Sequence, residues 1–142
     1  IYGVGSLHDK LQEQIDQLRL NDYITLCGRS NNIMDVYPEY SLHIMSSRYE
    51  GQPMTLIEAQ ACGLPSVVFN FKFGAADIVQ NGVNGIIVEQ NDCKAFSESL
   101  CNDEFGGYAQ KYGENALEVG KQYFKNNVFS KWIELLEFIS KA

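Results

Sequence analysis

The feature that most constrains the fold is a proline-led helix that follows an apolar stretch. Residues 42–45 read Leu-His-Ile-Met and predict a short buried strand. Pro53 suits the first position of a helix because its ring presets the helical φ and its missing N–H would have no intrahelical acceptor. Gly63 then ends the helix, and Pro65 prevents it from resuming. The sequence therefore predicts a strand, a loop and a helix in succession.

The start of this helix predicts a binding site for an anion. The N–H groups of a first helical turn lack intrahelical acceptors, and the helix dipole adds positive potential at the same end. Phosphate is the anion that such an arrangement commonly binds. The amides that we expect to be free are those of Gln52, Met54, Thr55 and Leu56.

Two carboxylates flank this site, Glu50 in the loop and Glu58 inside the helix. Negative side chains are unfavourable beside a phosphate unless they accept hydrogen bonds from another part of the ligand, such as sugar hydroxyls. A nucleotide sugar would supply phosphates and hydroxyls together. The alternative interpretation is that Glu50 caps the helix and Glu58 is a solvated helix residue.

The apolar spacing within the helix also bears on Glu58. Met54, Ile57 and Ala61 recur at helical spacing and predict the face that packs against a sheet. Glu58 lies beside that face. We therefore expect its carboxylate to be half-buried and to need a polar partner.

Strands and helices alternate along the rest of the chain. Residues 24–27, 66–69 and 86–88 are apolar runs that predict further strands. This alternation is typical of the α/β class, here a Rossmann-like, doubly wound parallel sheet with helices on both faces. The loops after residues 24–27, 42–45 and 66–69 would lie at the carboxyl ends of strands, where such sheets bind ligands. We expect these loops to form a single cleft.

The second half of the chain predicts three further helices. One begins near Asp92, a second runs from a break at Gly106-Gly107 through Phe124, and a third covers residues 130–139. The last helix has an apolar face that could complete the domain core or dock against another domain. The residues of that face are Trp132, Leu135, Leu136 and Ile139.

Length and charge exclude several classes of function. A chain of 142 residues is expected to form one domain, residues 1–142, with a sizeable core. A net charge of −7 and a pI near 4.7 argue against a nucleic-acid partner, because phosphate-backbone binders need a clustered basic face. The same acidity opposes docking to anionic lipids.

Cysteine usage and hydropathy indicate the cellular setting. Cys27, Cys62, Cys93 and Cys101 are scattered without a Cys-x-x-Cys pair, so we interpret them as reduced core residues and expect no metal site. Reduced cysteines are typical of a cytosolic protein. The sequence shows neither a membrane span nor a signal peptide, and its start at Ile1 suggests that an upstream portion is missing.

Four ordered sequence blocks carry a resemblance to a known family. They resemble the C-terminal, donor-binding domain of glycosyltransferase family 4 (glycosyl transferases group 1), which has the GT-B fold. The blocks are Tyr49-Glu50-Gly51-x-Pro53, Glu58-Ala59-x-Ala61-Cys62-Gly63-Leu64-Pro65-x-Val67, Gly74-x-x-Asp77-Ile78-Val79 and Asn81-Gly82-x-Asn84-Gly85-x-Ile87-Val88.

The resemblance implies a retaining enzyme that transfers a sugar from a UDP- or GDP-linked donor to an acceptor hydroxyl, without a metal or other cofactor. By motif position, Glu50 is the catalytic residue and would contact donor-sugar hydroxyls near the reacting carbon. Glu58 would bind the ribose hydroxyls of the nucleotide. The segment that would hold the diphosphate consists of Gly51, Gln52, Pro53, Met54 and Thr55.

Two other loops complete the implied donor site. The loop of residues 30–33 borders the nucleotide base in the resembled family, so Ser30 and Ile33 are candidates for that contact. Gly74 would let backbone amides approach the donor sugar.

One departure limits what this chain is expected to do. The family's donor half normally starts with a strand and a helix whose Arg and Lys grip the phosphates, and nothing before Ile1 supplies them. We therefore predict that this chain alone transfers no sugar. The acceptor, and any membrane contact, would belong to an N-terminal domain, with the final helices reaching across the hinge between the domains. The expected setting is polysaccharide or glycoconjugate synthesis in the cytoplasm.

Two other classes remain open. The chain could be a non-catalytic α/β module that binds a nucleotide or a partner protein. It could also be related to the sugar-phosphate phosphorylases, although no lysine for pyridoxal phosphate is identifiable in the expected loop. Nucleotide binding that depends on Glu58 would favour the donor-domain interpretation.

Overall fold

The computed structural model describes residues 1–101 and 104–141, with the backbone alone described for residues 104–109. The chain divides into two compact units, residues 1–33 and residues 34–142. Each unit is described by itself below.

The first unit contains one regular helix, α1, at His8–Gln17. Ile15 is the buried residue of this helix. The predicted strand at residues 24–27 is wrong, because this segment forms no regular strand. The amide of Cys27 donates to the Ile1 carbonyl oxygen at 2.8 Å, and the next residue, Gly28, forms an isolated parallel bridge with Tyr2, which is too short to build a ladder.

The second unit is built on a parallel sheet of three strands, β1 at His43–Met45, β2 at Ser66–Phe69 and β3 at Gly85–Val88. The strands follow the order β1-β2-β3, with both pairs parallel. The predicted strand at residues 66–69 has its predicted bounds, and the other two differ by one residue.

The helices of the chain continue from α1. They are α2 at Ile33–Val36, followed by a 3-10 turn at Tyr37–Glu39, then α3 at Met54–Ala61, α4 at Ala75–Ile78, α5 at Cys93–Cys101, α6 at Glu104–Lys121 and α7 at Lys125–Ser140. The predicted break at Gly106-Gly107 is wrong, because both glycines lie within α6.

Helices cover both faces of the sheet. Along β2, Val68 packs in a core cluster with Leu56 and Ile57 of α3. Its neighbours Val67 and Phe69 point to the opposite face and pack with Phe96 of α5, whose ring centroid lies 4.5 Å from that of Phe69. This alternation along one strand confirms the predicted Rossmann-like α/β fold.

The face of α3 that packs inward differs from the predicted one. Met54 is 54% exposed, so the stripe of Met54, Ile57 and Ala61 is wrong apart from Ile57. The buried residues of α3 are Leu56, Ile57, Ala59 and Gln60.

The reason is that α3 packs against α6 as well as the sheet. At Gly120 of α6 an added Cβ would collide with the backbone of Ala61. A helix covered on two sides buries more than one stripe.

The C-terminal helix does not complete the core of the described chain. No residue of α7 is buried, and its predicted apolar face is exposed, with Trp132 57% accessible.

The cysteines also differ from expectation. They are unpaired as predicted, but Cys27, Cys93 and Cys101 are exposed and Cys62 is only half-buried, so none is a core residue.

A buried polar network connects α3 to the sheet. Gln60, Ser66 and Asn84 are fully buried. The Nε2 atom of Gln60 donates to the hydroxyl of Ser66 at 3.1 Å, and the Nδ2 atom of Asn84 donates to Gln60 Oε1 at 2.8 Å. Nδ1 of His43 lies 3.2 Å from the same Ser66 hydroxyl. Because buried polar groups are costly when unpaired, this network fixes α3 and Asn84 against β2.

His43 makes the stability of the fold depend on pH. Burial lowers the pKa of its imidazole to about 4, so the unfolded chain takes up a proton before the folded chain does as pH falls. The stability gained by keeping His43 neutral is complete above its ordinary pKa of about 6.5 and is lost as pH falls towards 4.

We expect the free energy of unfolding to drop by about 2 kcal/mol between pH 7.5 and pH 5 on account of His43. Urea denaturation at the two pH values, compared between the chain and His43→Asn, measures this. The variant should lose less stability than the parent. His8→Asn, a change at an exposed histidine, is the control and should keep the full pH dependence. Equal losses in the parent and His43→Asn would contradict the prediction.

Candidate functional site

Loops that follow all three strands meet at the carboxyl edge of the sheet. Gly74, in the loop after β2, lies so close to Pro53 that an added Cβ would stand 2.7 Å from Pro53 Cδ. Gln90, just after β3, donates from Nε2 to the carbonyl oxygen of Arg48 at 2.6 Å. The predicted convergence of the loops after β1 and β2 is therefore confirmed. The part played by Gln90 was missed, because an isolated glutamine after a strand carries no motif.

Gly74 has a backbone conformation that explains its residue type. Its φ is +95°, in the left-handed region that favours glycine, and it caps the start of α4. A side chain at Gly74 would be both strained and in collision with Pro53. The two loops therefore approach closely only because this residue is glycine.

The start of α3 is tighter than predicted. The helix begins at Met54, one residue later than predicted, and Pro53 is its N-cap with φ −77° and ψ 79°. These angles are those of an inverse γ-turn. The turn directs the amide of Met54 back to the carbonyl oxygen of Gln52 at 2.9 Å, and Leu56 donates to the Pro53 carbonyl at 3.0 Å.

Two of the four amides predicted to be free are therefore occupied. The predictions for Met54 and Leu56 are wrong, because their N–H groups are bonded within the turn. The amides of Gln52 and Thr55 donate to no acceptor in the described part of the chain. With the positive end of the α3 dipole, these two amides form the anion-binding element of the site.

Glu50 lies on the loop after β1 and is half-buried. Among the described residues its carboxylate has no hydrogen-bond or salt-bridge partner, so the alternative that it caps α3 is wrong. Its acceptor oxygens are available to a ligand.

Glu58 is half-buried on the second turn of α3, as predicted, and its partner is Tyr37. The hydroxyl of Tyr37 lies 3.2 Å from Glu58 Oε2 and 3.3 Å from the carbonyl oxygen of Thr55. Burial first, and then the negative charge of Glu58, raise the pKa of the Tyr37 hydroxyl, which therefore stays a proton donor. The alternative that Glu58 is a solvated residue is wrong.

Tyr37 was missed in the sequence because it is 21 residues away from Glu58. The available signal was a tyrosine followed by Pro38 shortly before a predicted strand, which is weak. An aromatic residue in that position is more often a core residue than part of a site.

Ser30 and Ile33 lie in the first unit. The Ser30 hydroxyl accepts a hydrogen bond from the amide of Asn32 at 3.2 Å, and Ile33 is the first residue of α2. Their proposed contact with a base stays a prediction.

Neither a metal cluster nor a spanning helix is found in the described chain. No three His, Cys, Asp or Glu side chains among residues 1–101 and 110–141 come together as ligands for a metal ion. None of the described helices has the length and apolar character needed to cross a bilayer.

Comparison with known proteins gives the family. Residues 1–118 match the family model described as Glycosyl transferases group 1. One relative is the UDP-N-acetylglucosamine--peptide N-acetylglucosaminyltransferase GtfA subunit of Streptococcus gordonii, which is 31% identical over 96% of this chain and 28% of its own length. The chain thus spans less than a third of that relative.

Solved structures agree with this assignment. The crystal structure of a GtfA/B complex superposes with a TM-score of 0.86 at 29% identity, over 100% of this chain and 29% of that chain. A structure of a mutant of S. aureus TarM, in complex with fondaparinux, alpha-GlcNAc-glycerol and UDP, has a TM-score of 0.83 at 28% identity, over 95% of this chain and 28% of that one. With its Rossmann-like sheet and a family match over most of its length, this chain belongs to the glycosyl transferases group 1 and has the fold of a GT-B glycosyltransferase domain.

Proposed function

We propose that this chain is the donor-binding domain of a retaining, family 4 glycosyltransferase that transfers a sugar from a UDP-linked donor to an acceptor hydroxyl. The observation that carries the proposal is the edge of the sheet at α3. There, two amides that have no acceptor in the described chain adjoin two half-buried glutamates, all within the segment that matches the family.

The start of α3 is the proposed diphosphate site. The free amides of Gln52 and Thr55 and the positive end of the helix dipole are suited to phosphate oxygens. They would also stabilise the negative charge that develops on the leaving diphosphate, as an oxyanion hole does. Gly51, Pro53 and Met54 shape this turn rather than supplying free amides, since Met54 is already bonded and Pro53 has no N–H.

The two glutamates have separate proposed tasks. Glu58 accepts hydrogen bonds from the ribose hydroxyls. Glu50, which is free of protein partners among the described residues, contacts hydroxyls of the donor sugar near its reacting carbon. In the transfer, the acceptor oxygen bonds to that carbon as the bond to the diphosphate oxygen breaks, and the acceptor proton passes to the leaving diphosphate. Glu50 forms no covalent bond in this scheme.

Other residues complete the donor site. Gly74 has no side chain that would keep the loop after β2 away from the sugar. A side chain would also have no room at this position, because Pro53 is in contact with it. Ser30 and Ile33 are proposed to border the base. No metal or other cofactor is part of the proposal.

The choice of UDP as the nucleotide of the donor is based on the names of similar proteins. The S. gordonii relative is named for UDP-N-acetylglucosamine, and the TarM structure holds UDP. We propose that the acceptor is bound by another domain of the whole protein, in cytoplasmic synthesis of a polysaccharide or glycoconjugate. The alternative, a binding module without catalysis, is tested by the experiments that follow.

Replacing Glu58 with alanine is expected to weaken UDP binding. A hydrogen bond to a charged group contributes about 1.5–3 kcal/mol, which corresponds to a rise in Kd of about 10–100-fold. Isothermal titration of the full-length gene product with UDP, GDP and ADP measures this. Glu134→Ala, on the exposed surface of α7, is the matched control and should bind UDP normally.

Two outcomes would contradict the proposal. Unchanged UDP affinity in Glu58→Ala would show that Glu58 does not bind the ribose. Failure of the full-length product to bind any of the three nucleotides would favour a protein-interaction module.

Replacing Glu50 with glutamine is expected to affect turnover rather than donor binding. We expect kcat to fall by about 100-fold, with little change in the Kd of UDP, because Glu50 acts on the sugar near the reacting carbon. Release of UDP from a panel of UDP-sugars, measured on the full-length gene product, tests this, with Glu134→Gln as the control. Equal kcat in Glu50→Gln and the parent would contradict the assigned role. The 142-residue chain by itself is expected to show no transfer in the same assay.

A further inference from the structure

Tyr37 occupies a place in the site that the proposed function does not explain. It is only 7% exposed, and its hydroxyl lies between two acceptors on α3, the Thr55 carbonyl at 3.3 Å and Glu58 Oε2 at 3.2 Å. Thr55 and Glu58 belong to the proposed diphosphate and ribose contacts respectively. One side chain therefore touches both parts of the proposed donor site.

The chemistry of these contacts fixes Glu58. A phenol has a single proton, and a carboxylate is a stronger acceptor than a carbonyl because the hydrogen bond is charge-assisted. The bond from Tyr37 occupies Oε2, which leaves the second carboxylate oxygen of Glu58 for a ligand. It also restricts the rotation of a long side chain, so less conformational entropy is lost when a ligand binds.

Tyr37 is itself held in place. It begins the 3-10 turn at Tyr37–Glu39, where the ring of Pro38 restricts the backbone. Its ring packs edge-on against His43 of β1, with centroids 6.2 Å apart and planes at 84°. Burial keeps its hydroxyl protonated by raising its pKa. The donor that orients Glu58 is therefore rigid and keeps its proton.

We propose that Tyr37 is a positioning residue that makes the site selective for ribonucleotides over deoxyribonucleotides. This inference rests on the proposed function, in which Glu58 meets the ribose hydroxyls. Tyr37 touches no ligand itself. It acts by holding Glu58 in the orientation in which the free carboxylate oxygen accepts from the ribose.

The test is the ratio of two dissociation constants. UDP, 2′-deoxy-UDP and 3′-deoxy-UDP are titrated against the full-length gene product and against Tyr37→Phe, which removes only the hydroxyl. We expect the parent to prefer UDP over at least one deoxy analogue by about tenfold or more, the loss of one hydrogen bond to a charged group. In Tyr37→Phe the UDP Kd should rise by roughly three- to tenfold while the Kd of that analogue stays the same, so the preference shrinks.

Two controls separate positioning from a general structural effect. Tyr23→Phe, at a residue that is 83% exposed, should keep the parental preference. In a Glu58→Ala background, Tyr37→Phe should cause no further loss of UDP affinity, since Tyr37 acts only through Glu58. Lower stability of Tyr37→Phe does not affect the result, because the ratio of the constants is independent of the folded fraction.

The outcomes distinguish this inference from the function on which it rests. If Glu58→Ala binds UDP as the parent does, the proposed function fails. If Glu58→Ala weakens UDP binding but Tyr37→Phe leaves the preference unchanged, only the role of Tyr37 is overturned. The same holds if Tyr37→Phe weakens UDP and both deoxy analogues equally, because that is the effect of a structural residue.

Discussion

Burial of β2 on both of its faces is the constraint on which the rest of the second unit depends. Val68 packs towards α3, while Val67 and Phe69 pack towards α5. Parallel strands covered in this way leave their carboxyl ends as the open edge of the sheet, so loops and helix starts collect there. The network of Gln60, Ser66 and Asn84 then fixes α3 against β2. The position of the proposed site is thus a consequence of core packing.

The same packing limits what the start of α3 can offer to an anion. Pro53 is buried, and Gly74 lies against its ring. Held there, Pro53 adopts an inverse γ-turn, which consumes the Met54 amide and leaves those of Gln52 and Thr55. A site with fewer free amides depends more on its side chains. This is why the free carboxylate of Glu50 and the Tyr37 partner of Glu58 matter as much as the helix dipole.

Local signals predicted the fold better than the site. The strand at residues 66–69, the helix end at Gly63 and the half-buried Glu58 were all predicted, because each depends on residue type and spacing. The Tyr37–Glu58 bond could not be predicted, since it joins residues 21 positions apart whose meeting depends on the fold. The stripe on α3 was wrong for a similar reason. The sequence of a helix does not show that a second helix, α6, will cover its other side.

Electrostatics determines how such an edge can hold a nucleotide sugar. The net charge of −7 and the carboxylate of Glu50, which has no partner among the described residues, both disfavour binding of a diphosphate. The helix start offsets this with only about half an elementary positive charge. A cation is present in the loop after β2, where the ammonium group of Lys72 lies 5.2 Å from the centroid of the Phe73 ring. Such an exposed cation–π contact is of modest strength. A negative carboxylate is favourable, however, towards a hydroxyl donor. Under the proposed function, the carboxylate of Glu58 would favour the ribose hydroxyls while the helix start would favour the phosphates, so the orientation of that carboxylate bears directly on donor binding.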